Sequence, residues 1–249
     1  MTVDAAAQTR IVDNPEELAH QTAAWIVEQA SKSPERFALC LSGGATPQRL
    51  YELLAAPAYR ARLPWNRTHV FWGDERAVPH DDPRSNFRMA WEAMLRHVPI
   101  PAENIHTIPT EQMSPAAGAA AYATTLKRLY GADTLDPHRP LFDLTLLGLG
   151  EDGHIASLFP GSPALGETER WVVAVMGANP PDRITLTYPA LASSAATAFL
   201  VTGDRKREAL ARVRASDPML PASRLRPVGT VYWFADRAAA APTPAFSGV

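Results

Sequence analysis

Cysteine is almost absent from this chain. Cys40 is the only one among 249 residues, so neither a disulfide framework nor a thiolate metal site is available. It lies inside an apolar run and reads as a buried core thiol. No two of the 7 histidines stand at metal-ligand spacing, so no metal is expected. Long apolar runs are missing too: none approaches the ~20 residues a membrane helix needs. Met1 to Ala19 carries acids early and lacks an apolar core, unlike a secretory signal. A cytoplasmic protein is the expectation. Charge of one sign is also scarce, and a formal net charge of -2 offers no drive toward nucleic acid or an anionic membrane. There is no internal repeat and no linker-like change of composition before Ala238. Residues 1–237 are therefore expected to form a single domain. Ala238 to Val249, low in complexity and rich in Ala, Pro and Ser, is expected to be a disordered tail.

What is present is an ordinary globular composition, 46% hydrophobic and 20% charged, so organisation has to be read from pattern. Asn14-Pro15-Glu16-Glu17 is a helix start, with Asn14 as cap, Pro15 at the first helical position and Glu17 completing a capping box. Leu18, Thr22, Trp25, Ile26 and Gln29 then recur at helical spacing. Phe37 to Leu41 suits a short buried strand. Ser42-Gly43-Gly44-Ala45-Thr46-Pro47 follows, and Leu50, Leu53 and Leu54 mark a helix from about Pro47. The same order returns at His69 to Trp72 (strand), Gly73-Asp74-Glu75-Arg76 (terminal loop) and Ser85 onward (helix). Phe87, Ala90, Trp91, Met94, Leu95 and Val98 give that helix an apolar face. Ile105 to Ile108 is expected as a short strand, and Ser114-Pro115 opens an alanine-rich helix that Gly131 ends. Phe142 to Leu147 is the next buried strand, stopping at Gly148 and Gly150. Trp171 to Met176, Ile184 to Thr187, Thr197 to Val201 and Thr230 to Phe234 read as strands, and Asp204 to Arg214 as a helix. The alternation predicts one α/β domain, a largely parallel central sheet with helices on both faces.

The chemistry lies in the strand-end loops. After a strand, the glycines of Ser42-Gly43-Gly44-Ala45-Thr46 let backbone approach a ligand, and the helix start behind them aims N–H groups at an anion. Ser42 and Thr46 add hydroxyls, so a phosphate is one natural guest. A tight turn with Thr46 merely capping the helix is the other reading. The loop is neither a P-loop nor a dinucleotide fingerprint. In Gly73-Asp74-Glu75-Arg76, two acids and a guanidinium suit a sugar hydroxyl, a hold on another side chain, or a purely structural ion pair. Arg183 and Lys206, near strand ends, can supply positive charge. His154 is the best-placed histidine: it follows the glycines that end a strand, with Asp152 two residues away, and histidine moves protons near neutral pH.

Four blocks together resemble the 6-phosphogluconolactonase family: Ser42-Gly43-Gly44-Ala45-Thr46-Pro47; Gly73-Asp74-Glu75-Arg76 with Ser85-Asn86-Phe87; Gly148 to Gly161; and Arg183-Ile184-Thr185-Leu186-Thr187. The resemblance spans roughly Asn14 to Asp236. It implies a Rossmann-like α/β fold shared with glucosamine-6-phosphate deaminase and ribose-5-phosphate isomerase. It also implies hydrolysis of 6-phospho-D-glucono-1,5-lactone in the oxidative pentose phosphate pathway, without a metal or cofactor. The implied catalytic group is His154 as base, Asp74 and Arg76 orienting sugar or stabilising charge, and Asp152 steering the imidazole. The implied phosphate site is Ser42, Gly43, Gly44 and Thr46, with Lys206 and Arg183. The expected partner is the sugar-phosphate lactone alone, on a monomer or a weak homodimer. The deaminases, the nearest alternative, typically continue after the histidine with Ile-Ala-Phe-Asn-Glu-Pro. Here Phe159 stands where that glutamate falls, and Arg76 where they carry tyrosine. A sugar-phosphate sensor is a third reading, disfavoured because the chain shows only a short lead and no basic patch.

Overall fold

In the computed structural model, residues 7–177 and 180–242 are described. An edge strand, β1 (Gln8–Val12), comes first, followed by α1 (Pro15–Lys32). Asn14 Oδ1 accepts from Glu17 N at 2.9 Å, as its position predicts. The return bond of the box goes one residue further back, from Asp13 N to Glu17 Oε2 at 2.9 Å. Next come β2 (Phe37–Leu41), α2 (Ala45–Ala55), the single turn α3 (Pro57–Arg60), β3 (Thr68–Trp72), β4 (Asp74–Arg76) and α4 (Asn86–Ala93). After α5 (Pro115–Tyr130) and β5 (Phe142–Gly148), the chain runs through β6 (Val172–Val175), β7 (Arg183–Leu186), α6 (Tyr188–Ala192) and β8 (Ser194–Val201). It continues through α7 (Arg207–Arg214), α8 (Pro221–Arg224), β9 (Thr230–Asp236) and α9 (Arg237–Ala240).

Six strands form the main sheet in the order β1-β9-β8-β5-β2-β3, and every pairing in it is parallel. All five residues of β2 are buried, as a central parallel strand covered on both faces requires. From β2 the chain moves to β3 on one side, while β5 joins on the other. The carboxyl ends of β2 and β5 therefore flank the point where strand order reverses, the place such sheets bind ligands.

Two buried tyrosines hold the strand ends there. Tyr51 OH accepts from Ser42 N at 3.0 Å and donates to Ser42 O at 2.8 Å. Tyr122 OH treats Trp72 the same way, at 3.0 and 3.2 Å. Burial pushes both phenols up, so they stay neutral and can donate and accept at once. The loops beyond β2 and β3 thus start from fixed points. Cys40, also fully buried, has its thiol pushed up by burial and behaves as core.

The structure departs from the sequence expectation in three places. Asp74–Arg76 is a strand rather than a loop, in a separate antiparallel sheet of order β4-β7-β6. Ile105 to Ile108 is not a strand; Ile105 makes one isolated bridge to Val70. His106 then turns its ring onto Phe71 and His69 instead of extending the ladder. Finally, Arg237–Ala240 is helical, capped by Asp236, whose Oδ1 accepts from Ala239 N at 2.8 Å. Structure therefore runs past Ala238, and residues 243–249 of the expected tail lie outside the described residues. No helix among the described residues is long and apolar enough to cross a membrane.

Candidate active site

The first wall of the site is the loop after β2. Ser42 Oγ accepts from Gly148 N at 3.3 Å, joining the ends of β2 and β5 at the switch point. A Cβ at Gly43 would collide with the Asn86 side chain, so only glycine lets the loop lie this close. Asn86 Nδ2 in turn donates to Asp74 O at 2.9 Å and Asp74 Oδ1 at 3.2 Å. Thr46 Oγ1 sits 2.7 Å from Thr202 Oγ1, tying the start of α2 to the end of β8. The first-turn N–H groups of α2 have no side-chain cap, which suits an anion at that end.

The second wall is the small sheet, where strand alternation sorts the acids. Asp74 and Arg76 share a face, and their cross-strand partners on β7 are Thr185 and Arg183. Glu75 points the other way and is spent on structure. Its two oxygens accept from Arg76 N, Asn86 N and Phe87 N, each at 2.7 Å, and from Ser85 Oγ at 3.1 Å. Burial pushes its carboxyl up, and the three backbone N–H groups oppose that only in part. Arg76 and Arg183 form a like-charge cross-strand pair, an unfavourable arrangement unless an anion lies between. Burial, then the neighbouring Arg76 guanidinium, lowers the Arg183 pKa; Asp74, 3.9 Å away, opposes this. Arg76 Nη1 donates to Arg84 O at 2.5 Å, while its buried Nε has no partner among the described residues.

The third wall is the loop after β5. Asp152 Oδ1 lies 2.6 Å from His154 Nδ1 and also accepts from His154 N at 3.1 Å. A Cβ at Gly150 would strike both side chains, so this glycine is what lets the pair fold back over the loop. Burial pushes the Asp152 carboxyl up, but the His154 N–H and imidazole outweigh it and hold it below the usual range. An ionised Asp152 can only accept. Nδ1 therefore carries a hydrogen, so in the neutral imidazole the lone pair is on Nε2, as a general base requires. The His154 ring also packs on Phe159, with centroids 4.6 Å apart.

These walls enclose a cleft of about 400 Å³. Ser42, Gly43, Gly44, Thr46, Asp74, Arg76, His154, Arg183 and Lys206 all border it, so nine of the ten residues singled out in the sequence converge there. Asp152 does not. It faces an adjoining depression of about 960 Å³, which shares His154 and Lys206 with the cleft. That larger depression lacks the glycine loop and the arginines. Asn86 and Thr202 border the cleft without any role assigned from sequence. Asn86 lies within one of the four family-like blocks, while Thr202 could have been suspected from its strand-end position. Among the described residues, no three His, Cys, Asp or Glu side chains converge as a metal site would need.

Residues 13–233 match the family described as glucosamine-6-phosphate isomerases/6-phosphogluconolactonase. The chain is 43% identical over 219 residues to a 6-phosphogluconolactonase of Nostoc sp., covering 86% of this chain and 88% of that one. It is 44% identical over 204 residues to a 6-phosphogluconolactonase of Synechocystis sp., covering 81% and 82%. Its fold superimposes on the crystal structure of 6-phosphogluconolactonase from Thermotoga maritima with a TM-score of 0.79 at 29% identity, covering 92% of this chain and 99% of that one.

Proposed function

From the premise that the chain belongs to the glucosamine-6-phosphate isomerase/6-phosphogluconolactonase family, we propose that it works as the lactonase. It hydrolyses 6-phospho-D-glucono-1,5-lactone to 6-phospho-D-gluconate in the oxidative pentose phosphate pathway. The observation carrying this reading over the deaminase is the setting of His154. Its ring lies on Phe159 and is bonded to Asp152; no second carboxylate bonds to it among the described residues. A lactone carbonyl is already electrophilic and needs no ring opening before attack.

In this reading His154 Nε2 takes a proton from water as the water oxygen bonds to C1. The C1–ring oxygen bond then breaks, and the proton passes to the departing oxygen. Asp152 keeps the imidazole in the tautomer the first step needs and stabilises the cation that forms. Arg76 brings its guanidinium charge to bear on the developing negative charge, and Asp74 accepts from a sugar hydroxyl. The phosphate lies on Ser42, Gly43, Gly44 and Thr46, with Lys206 and Arg183 closing over it. Binding energy at that remote group fixes C1 beside His154. Every group comes from one chain, so a monomer or a weak homodimer suffices, and the cytoplasm is the proposed compartment.

The test is a coupled assay of lactone hydrolysis, corrected for spontaneous opening. His154→Ala is expected to lower turnover by ~10²–10⁴ while 6-phosphogluconate still binds. Unchanged turnover removes His154 from the mechanism. Ammonia release from glucosamine 6-phosphate by the wild type, without lactone hydrolysis, transfers the chain to the deaminase reading.

A further inference from the structure

Ser157 is three residues beyond His154, fully buried and outside the roles assigned above. Its Oγ–H donates to Asp74 Oδ2 at 2.6 Å, and its N–H donates to Thr185 Oγ1 at 3.1 Å. Thr185 Oγ1 passes its own hydrogen to Leu186 O at 3.0 Å. The direction of each bond is therefore set. Asp74 and Thr185 are cross-strand partners on β4 and β7, so a single serine grips both strands of the small sheet.

The turn that carries this serine is tight. Leu158 N donates to Ile155 O at 2.9 Å, both residues are fully buried, and Ala156 between them has φ 47. A left-handed conformation is costly for a side chain with a Cβ, and it persists where the surroundings over-determine it. Here the surroundings are the buried Ile155 and Leu158 on one side and the Ser157 grip on the other. Cutting the grip frees the turn to relax, and His154 is next to it in the chain. Asp74, for its part, has Asn86 Nδ2 at 3.2 Å on Oδ1 and Ser157 on Oδ2. Removing Ser157 leaves that oxygen to its ion pair with Arg183, at 3.9 Å.

We propose that Ser157 is a positioning residue for lactone hydrolysis: it clamps the His154 loop onto the Asp74–Thr185 pair, so that imidazole and carboxylate meet the substrate in one geometry. The proposal rests on the lactonase reading. Its effect falls more on turnover than on binding, because the clamp holds Asp74 but touches neither the Ser42–Thr46 loop nor Lys206, which carry most of the phosphate.

Steady-state kinetics on the lactone, with calorimetric binding of 6-phosphogluconate, test it. Ser157→Ala should lower kcat on the order of 10²-fold, as small displacements of catalytic groups do, with KM and the binding constant changing by a much smaller factor, about tenfold at most. Thr185→Val attacks the clamp from its other end and should show the same split. The double variant should lose little more than either single one, because both cut one device. Wild-type activity with unchanged kcat in Ser157→Ala overturns the proposal and leaves the lactonase reading intact. So does a loss lying wholly in KM. Should Ser157→Ala not fold, Thr185→Val decides by the same criteria. A wild type inactive on the lactone removes the lactonase reading and the clamp with it.

Discussion

At Gly150 a methyl group would collide with His154 Nδ1 and Asp152 Oδ1, although nothing in the backbone conformation there demands glycine. Gly150→Ala should therefore fold with near-normal stability and still push the His154–Asp152 pair aside. Displacements of about 1 Å at such a pair cost on the order of 10²-fold in rate. The expected outcome is that loss in kcat, with the melting temperature within a few degrees of wild type. Gly166→Ala serves as control, because a Cβ at Gly166 meets nothing within 4 Å. Equal kcat in the two variants would show that Gly150 does not set the pair. His154 and Asp152 were legible in the sequence because they lie two residues apart and bond directly. Asn86 was not, since its carboxylate partner Asp74 meets it only after β4 has been laid beside α4.

Between residues and fold stand the short elements, and β4 is the instructive one. The long apolar strands announce themselves, as Phe37 to Leu41 does, because burial on both faces demands an unbroken apolar run. Asp74-Glu75-Arg76 carries no such run; it is a strand only because β7 pairs with it. Pairing across that distance cannot be read from three polar residues. Once the strand is known, the two acids separate, Asp74 toward the cleft and Glu75 toward the start of α4. Glu75→Gln tests that division. The carboxylate takes four donors on two oxygens, whereas an amide offers one oxygen and turns an NH₂ toward the donors on the other side. Leaving buried donors unpaired costs about 1–3 kcal/mol. Urea denaturation should show a loss of about 2 kcal/mol. The first turn of α4, whose Asn86 holds Asp74, is the part that should loosen. Wild-type stability in this variant would mean that Glu75 does not organise that turn.

Across the whole molecule, the cleft exists because the chain leaves β2 on one side and returns through β5 on the other, which brings four strand-end loops together. That much followed from alternating strands and helices. The separate antiparallel sheet did not, nor did the fate of Ile105 to Ile108, where one isolated backbone bridge and stacked side chains, rather than a ladder, hold the segment to β3. His106 Nε2 lies 3.0 Å from His69 Nδ1, the rings stacked at 5.3 Å, and His106 also stacks on Phe71. Burial, then His69, lowers the His106 pKa from 6.5 to about 4. Between pH 6.5 and 4 the unfolded chain thus binds a proton at this position that the folded chain refuses. The unfolded state holds more protons throughout that window, so stability falls as pH falls through it and is flat for this group on either side. After allowance for partial solvent screening, the effect is about 2 kcal/mol. Neither histidine borders the cleft, so the variant His106→Gln leaves the side chains that line it in place. Urea midpoints of wild type and His106→Gln from pH 7.5 down to 4 should diverge in slope below pH 6.5, the wild type losing about 2 kcal/mol more. The carboxylates titrate alike in both proteins and cancel in the difference. Parallel curves across the window would show that the folded state accepts the proton at His106 as readily as the unfolded chain does.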